Sequence, residues 1–280
     1  MIVHEQDNDL VIVRQTDHAL LSGFFAREWG NEEFSPPEPS ESFRGAAAEH
    51  DNGWLEWELL PRIDPATFLP YSFMSIPTIE HIALYQRGIE RILKTDHYAA
   101  LLVSMHCSGL YDRERATMPG FSAKYVRSSE SQMAADFVHR LRLQQLRLKV
   151  DLRGNPATKL FSDDKTLHAN LQRLEAVDRL SLYVCLASQD DATIESVPLS
   201  EDGAETDWEL TRDNDGNITL APYPFRREPL ALSILARHVP KRRYANDADF
   251  QNTLASANYY PVKCNLRRGK GSIRSLLAGA

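Results

Sequence analysis

The chain changes its hydrophobic period part-way along, and that change limits what it can fold into. Apolar residues recur every three or four positions at about 78–94, 98–110, 128–150 and 163–188, the spacing of helices with one buried face. Beyond about residue 200 the interval falls to two. There TDWELTRD and NITLAPYPF flank Asn214-Asp215-Gly216, a strong hairpin signal. Leu230 to Val239 and Tyr259 to Leu266 read as further strands, with a helix over DADFQNTLASA between them. Between the two regimes, SQDDATIESVPLSEDGAETD is acidic and unperiodic and reads as a surface connection.

The first residues carry strand signals too. Ile2-Val3 and Leu10 to Val13 flank a polar turn, Gln6-Asp7-Asn8-Asp9, which predicts a hairpin over 2–14. Thr16 reads as the N-cap of a helix running to about Trp29. Residues 31–42 form a polar, proline-bearing loop, a short helix is predicted from Phe43 to His50, and 61–77 is irregular. The layout expected is one domain over residues 1–265. A helical body spans about 15–190, and a β-rich part over about 200–265 sits at its side together with the hairpin. Residues 266–280, basic and glycine-bearing, are expected to be a mobile tail.

Composition removes several functional classes. A net charge of −7 lacks the basic excess that general nucleic-acid affinity needs. No segment approaches the roughly 20 apolar residues of a membrane span, so neither partner is expected. The opening MIVHEQDNDLVIV has no basic start followed by an apolar core, and three scattered cysteines form no CxxC pair. A reducing, cytoplasmic setting is the expectation. There is no GxSxG, no GxxxxGK[ST] and no GxGxxG, which leaves serine-hydrolase and common nucleotide-loop chemistries without support.

What remains is a spaced set of metal-ligating residue types. His50-Asp51, opening HDNGW, offers a neutral nitrogen and an anionic oxygen side by side. Asp178 gives the clearest physical argument. Leu167, Leu171, Leu174, Asp178, Ser181 and Cys185 follow the spacing of a buried helix stripe, so a carboxylate stands in the middle of an apolar face. Burying that charge costs several kcal/mol unless a metal, an arginine or backbone amides compensate it. His18 shares a face with Leu21, Ser22, Phe25 and Trp29. His106 lies in line with Ala99, Val103 and Leu110, and His81 borders Ile82, Tyr85 and Ile89. One histidine on such a face is ordinarily a hydrogen-bonded core residue. Three, with an HD pair and a stripe-centred aspartate on separate helices, fit the way helical proteins build metal sites.

The ordered set His18, His50-Asp51, His81, His106 and Asp178 resembles the HD-domain superfamily of metal-dependent phosphohydrolases, and LEAVDRLSLYVCL looks like that superfamily's last aspartate helix. RQTDHALLSGFFAREWG and HDNGW further resemble an uncharacterised bacterial family of HD-like proteins. The resemblance implies a mainly α fold, an HD-domain-like helical bundle with a small accessory antiparallel sheet from both termini. It also implies a first divalent metal on His18, His50, Asp51 and Asp178. Asp51, the residue given the catalytic role, would bridge to a second metal on His81 and His106, the ions being Fe, Mn, Zn or Mg.

The activity that follows from the resemblance is hydrolysis of a phosphate ester on a small anionic substrate. His97, Lys124, Arg127 and Arg44 are the candidate substrate contacts. A diiron oxygenase of the same ligand order, acting on a small polar substrate, is the alternative, and a non-catalytic HD-like module is the third.

Overall fold

A computed structural model of the chain describes residues 1–111 and 130–270. It opens with strands β1 (Ile2–Gln6) and β2 (Asp9–Val13) and helix α1 (Gln15–Glu28). Helix α2 (Ser40–Glu49) leads through a 3₁₀ turn at Asn52–Trp54 into α3 (Leu55–Leu59). Then come α4 (Thr78–Leu93), α5 (His97–Tyr111), α6 (Ser131–Gly154) and α7 (Asp164–Leu186). The remainder is β3 (Ala192–Pro198), β4 (Glu205–Arg212), β5 (Ile218–Ala221), β6 (Leu230–Pro240), α8 (Asp247–Ser256) and β7 (Tyr259–Arg268).

All seven strands form one sheet in the order β1-β2-β6-β7-β5-β4-β3. The N-terminal hairpin joins the later strands through β2, where Val11 pairs with His238 and Val13 with Ala236. Neighbouring strands are antiparallel except β5 and β7, which run parallel with Ile218 opposite Leu266. Along β4 and β6 the buried and exposed residues alternate: Thr206, Trp208 and Leu210 point inward, as do Leu230, Leu232, Ile234 and Ala236. One face is therefore packed and the other meets solvent.

The expected mainly α, HD-domain-like bundle with a small accessory antiparallel sheet is overturned by this sheet. It has seven strands, it includes a parallel pair, and its apolar face belongs to the same buried core as the helices. Two local features hid its extent. The acidic stretch read as a connection contains β3, an edge strand whose register shifts between Ile194 and Val197. That bulge puts Glu195 and Ser196 together on the exposed side and so erases the period of two; edge strands also carry charge to discourage further pairing. The expected tail likewise begins too early, because β7 extends to Arg268 and Leu266 is fully buried. Residues 271–280 lie outside the described part.

Helices α1 and α7 pack against each other, and the sheet bears on both: α1 touches β6, while α7 touches β1 and leads into β3. An aromatic seam closes the far end of α1. Trp29 lies 5.2 Å from Trp208, and Phe25 stacks 5.5 Å from Phe225, measured between ring centroids. Backbone bonds from Gly30 N to Pro224 O and from Arg226 N to Glu28 O, both 2.9 Å, lock the seam. Helices α2, α4, α6 and α7 all pack around α5. Among the described residues no helix is long and apolar enough to cross a membrane.

Candidate metal centre

The six candidate ligands come from five elements. His18 is one turn into α1, His50 and Asp51 follow the last residue of α2, His81 is on α4, His106 on α5 and Asp178 on α7. All six are buried, and all six line one small cavity of ≈ 20 Å³, about the room of a single water-sized sphere. Two close approaches fix this convergence. A Cβ at Gly23 would lie 2.6 Å from that of Ala48, so α1 and α2 meet at small residues just before His50. A Cβ at Gly53 would stand 1.9 Å from Leu84 O, so the turn after Asp51 lies directly on α4, one turn beyond His81. The glycine of HDNGW is thus a packing requirement.

Hydrogen bonds set which nitrogen of each ring faces inward. His50 Nδ1 donates to Ala47 O at 2.9 Å. His18 Nδ1 lies 2.6 Å from Ser181 Oγ, whose own proton goes to Asp178 O at 2.8 Å, so the serine oxygen accepts from His18. In the neutral form of each ring Nε2 is then the lone-pair nitrogen facing the cavity, and these two atoms are 3.2 Å apart. Two carboxylates close on the same point. His18 Nε2 is 3.2 Å from Asp51 Oδ2 and 3.5 Å from Asp178 Oδ1. His50 Nε2 is 3.8 Å from Asp51 Oδ2 and 3.4 Å from Asp178 Oδ1. Ligands at 2.0–2.2 Å around a tetrahedral zinc are spaced by about 3.3 Å, so the His18, His50 and Asp51 separations suit one cation, while Asp178 groups with His50 and His106. Asp51 Oδ1, buried and without a hydrogen bond, adds an orphaned acceptor to the group.

The second half of the set is arranged differently. Asp178 Oδ2 faces His106 Nε2 at 3.7 Å, while Oδ1 faces His18 and His50. The carboxylate that presents its two oxygens to different histidines is thus Asp178, where the resemblance implied Asp51. Donor atoms of His18, His50 and Asp51 form one group that can hold a metal, and those of His50, His106 and Asp178 form another. His81 stands in neither. Its Nδ1 is 2.5 Å from Tyr111 Oη and its ring meets Tyr85 edge-on at 4.9 Å between centroids.

Electrostatics follow from the burial. Burial by itself would lower the pKa of His50, but the Asp51 and Asp178 carboxylates outweigh it and push the value up to about 9. Burial would likewise raise Asp51 and Asp178, yet the histidines around them hold both below the usual carboxylate range. His81 and His106, with weaker acidic compensation, fall to about 4 through burial. Without a metal, then, the cluster keeps a proton on His50 as its compensating cation.

Of the expected substrate contacts, His97 and Arg44 are not in this cavity. His97 is exposed at the first residue of α5, and Arg44 pairs with Glu41 on its own helix. Lys124 and Arg127 lie outside the described residues. In their place Gln15, Phe73, Tyr85, Leu110 and Leu182 complete the wall. Gln15 Nε2 donates to Asp51 Oδ2 at 2.7 Å. The Tyr85 phenol stays protonated far into alkali, through burial first and the nearby Asp51 charge second. Helical spacing held the signal for both: Gln15 precedes His18 by three residues and Tyr85 follows His81 by four, so each shares its ligand's face. Tyr111, at the end of α5, gave no such signal.

No curated protein matches the chain, and neither does any solved structure. One family does, described as a protein of unknown function (DUF3891), over residues 1–241, and the chain belongs to that family.

Proposed function

We propose that the chain is a metal-dependent hydrolase of a small phosphate ester, working from a divalent cation held by His18, His50, Asp51 and Asp178. The observation that carries this reading is the pair of inward Nε2 atoms 3.2 Å apart, each with its other nitrogen committed to an acceptor, between two buried carboxylates. A divalent cation there would replace the proton on His50 and neutralise the two carboxylates. A bound divalent cation lowers the pKa of a coordinated water and polarises a phosphoryl oxygen. The chain's own contribution is to keep Asp51 and Asp178 ionised, to keep Tyr85 protonated as a donor in the wall, and to exclude bulk water. The reaction class rests on the order H, HD, H, H, D, which resembles that of HD phosphohydrolases.

A second reading is an oxygenase with two irons. It is favoured by His106 facing the second oxygen of Asp178 and by a cavity wall that carries no lysine or arginine among the described residues. Elemental analysis of protein purified without added metal or chelator separates the two, followed by hydrolysis of p-nitrophenyl phosphate and its bis ester with and without EDTA. Zinc, manganese or magnesium with EDTA-sensitive hydrolysis is the expected result. Two irons per chain with no hydrolysis would move the assignment to the oxygenase. Protein that neither retains nor takes up metal would overturn both.

A further inference from the structure

Gln15 is gripped from both ends by one short segment, residues 51–58. Its side-chain Nε2 donates to Asp51 Oδ2 at 2.7 Å, and its backbone N donates to Glu58 Oε1 at 2.6 Å. Glu58 also accepts from Thr16 Oγ1 at 3.0 Å and from Thr16 N at 3.4 Å, and the Met1 nitrogen lies 3.4 Å from its Oε1. Thr16, predicted from the sequence as the N-cap of α1, therefore does not cap it. The helix has no side-chain cap on Arg14, and a carboxylate 42 residues further along receives its first amides instead. Glu58 is itself buried.

The oxygen that Gln15 engages is the one facing the His18 ring. A neutral amide donor at that oxygen orients the carboxylate and leaves its charge in place, whereas a charged donor would compete with a cation. Because His18 is three residues along the same helix, the Glu58 grip on the first turn sets its position too. We infer that Gln15 is the positioning residue of the metal centre, holding Asp51 Oδ2 toward His18, and that Glu58 anchors Gln15 by its backbone. This rests on the metal-binding reading proposed above.

The test uses the full chain, metal-free, titrated with Co²⁺ and followed by visible absorption and calorimetry. Gln15→Met keeps length and volume but removes the donor. Its Co²⁺ affinity is expected to fall about 10- to 100-fold, the range for losing a partner behind a metal ligand, with a changed d–d spectrum. The Tm of the variant should fall further with Co²⁺ than without it, because the metal-free protein loses only the buried bond to Asp51 while the loaded protein also loses cation affinity. Thr16→Val, which loses one bond to Glu58 but leaves Gln15 untouched, should change affinity by no more than about threefold, being remote from the ligand itself.

Gln15→Met binding Co²⁺ within twofold of the parent, with the same spectrum, would overturn the inference while leaving the metal site standing. Equal loss of Tm with and without Co²⁺ would also overturn it, since Gln15 would then be only a packing residue. A parent chain that binds no Co²⁺ would overturn the metal site and the inference together.

Discussion

Two buried regions border α1, and they are built on opposite terms. At its C-terminal end Phe25 and Trp29 enter an aromatic seam with Trp208 and Phe225, all under 2% exposed and joined face to face or edge to face. Toward its N-terminal end Gln15 and His18 enter a cluster of four histidines and two aspartates, equally buried, in which Asp51 Oδ1 and His106 Nδ1 have no hydrogen bond. The seam draws its stability from dispersion and exclusion of water within the chain, and its unsatisfied atoms are neutral, the indole nitrogens of Trp29 and Trp208. The cluster holds buried charge, and on the reading proposed above a cation completes it. One helix thus borders an aromatic region at one end and a buried cluster of perturbed titratable groups at the other, the latter in the manner of a functional site.

The sharpest way to break this contrast is to remove a charge from the cluster. Asp178→Asn should lower affinity for Zn²⁺ or Co²⁺ by more than about 100-fold, as loss of a direct ligand exceeds loss of a supporting one. It should lower Tm in metal-replete buffer and produce a much smaller difference in chelator, because metal binding is coupled to folding. Equal Tm losses in both buffers would mean that Asp178 is a structural acid. The mirror experiment is Trp29→Ala, expected to cost about 3–5 kcal/mol in denaturant unfolding. Metal stoichiometry at low temperature should stay unchanged. If it fell with stability, the two regions would not be separable.

Gly53→Ala sits between them. Its Cβ would meet the Leu84 carbonyl, so α4 must shift, at about 1–3 kcal/mol for overpacking. Because His81 and Asp51 flank that contact, metal affinity should fall along with stability, unlike the Trp29 variant. A smaller effect is expected from pH in the metal-free protein. His50, raised to about 9, contributes stability that is fully present below its ordinary value of 6.5 and is lost as pH rises through about 9. His81 and His106, lowered to about 4, oppose folding as pH falls from 6.5 toward 4. Metal-free Tm should therefore peak near pH 6.5. Saturating Zn²⁺ should remove the alkaline decline, because a metal-bound His50 carries no proton to lose. A metal-free protein with flat Tm from pH 6.5 to 9.5 would contradict the proton on His50.

The sequence was most informative where local period and buried charge coincide. Asp178 in its leucine stripe could be read as an acid needing a partner, and the structure sets it 3.4 Å from His50. The helices α4, α5, α6 and α7 follow their periods closely for the same reason. Strand pairing is not local, and there the reading failed: β3 carries a bulge that masks alternation, and the parallel contact of β5 with β7 joins segments that no nearby residue links. The site's supporting groups were legible only in part. Gln15 and Tyr85 lie at helical spacing from ligands, whereas the reach of Glu58 back to α1 depends on the whole turn at 52–54.

The pairing of β2 with β6 has a consequence for biosynthesis. The hairpin emerges first from the ribosome, yet the strand it pairs with begins at Leu230. At 5–20 residues per second the hairpin waits roughly 10 to 40 s for that partner. During that interval α1, which follows β2 after a single residue, has only the two-stranded hairpin at its start. All six candidate ligands are thus made before β6, the strand that completes the sheet beside the start of α1. Nascent chains would pass through a stage in which unpaired histidines and carboxylates meet the cell's free cations singly, with weak affinity. On the metal-binding reading proposed above, a chain ending before β6 should hold a cation less tightly than the full chain.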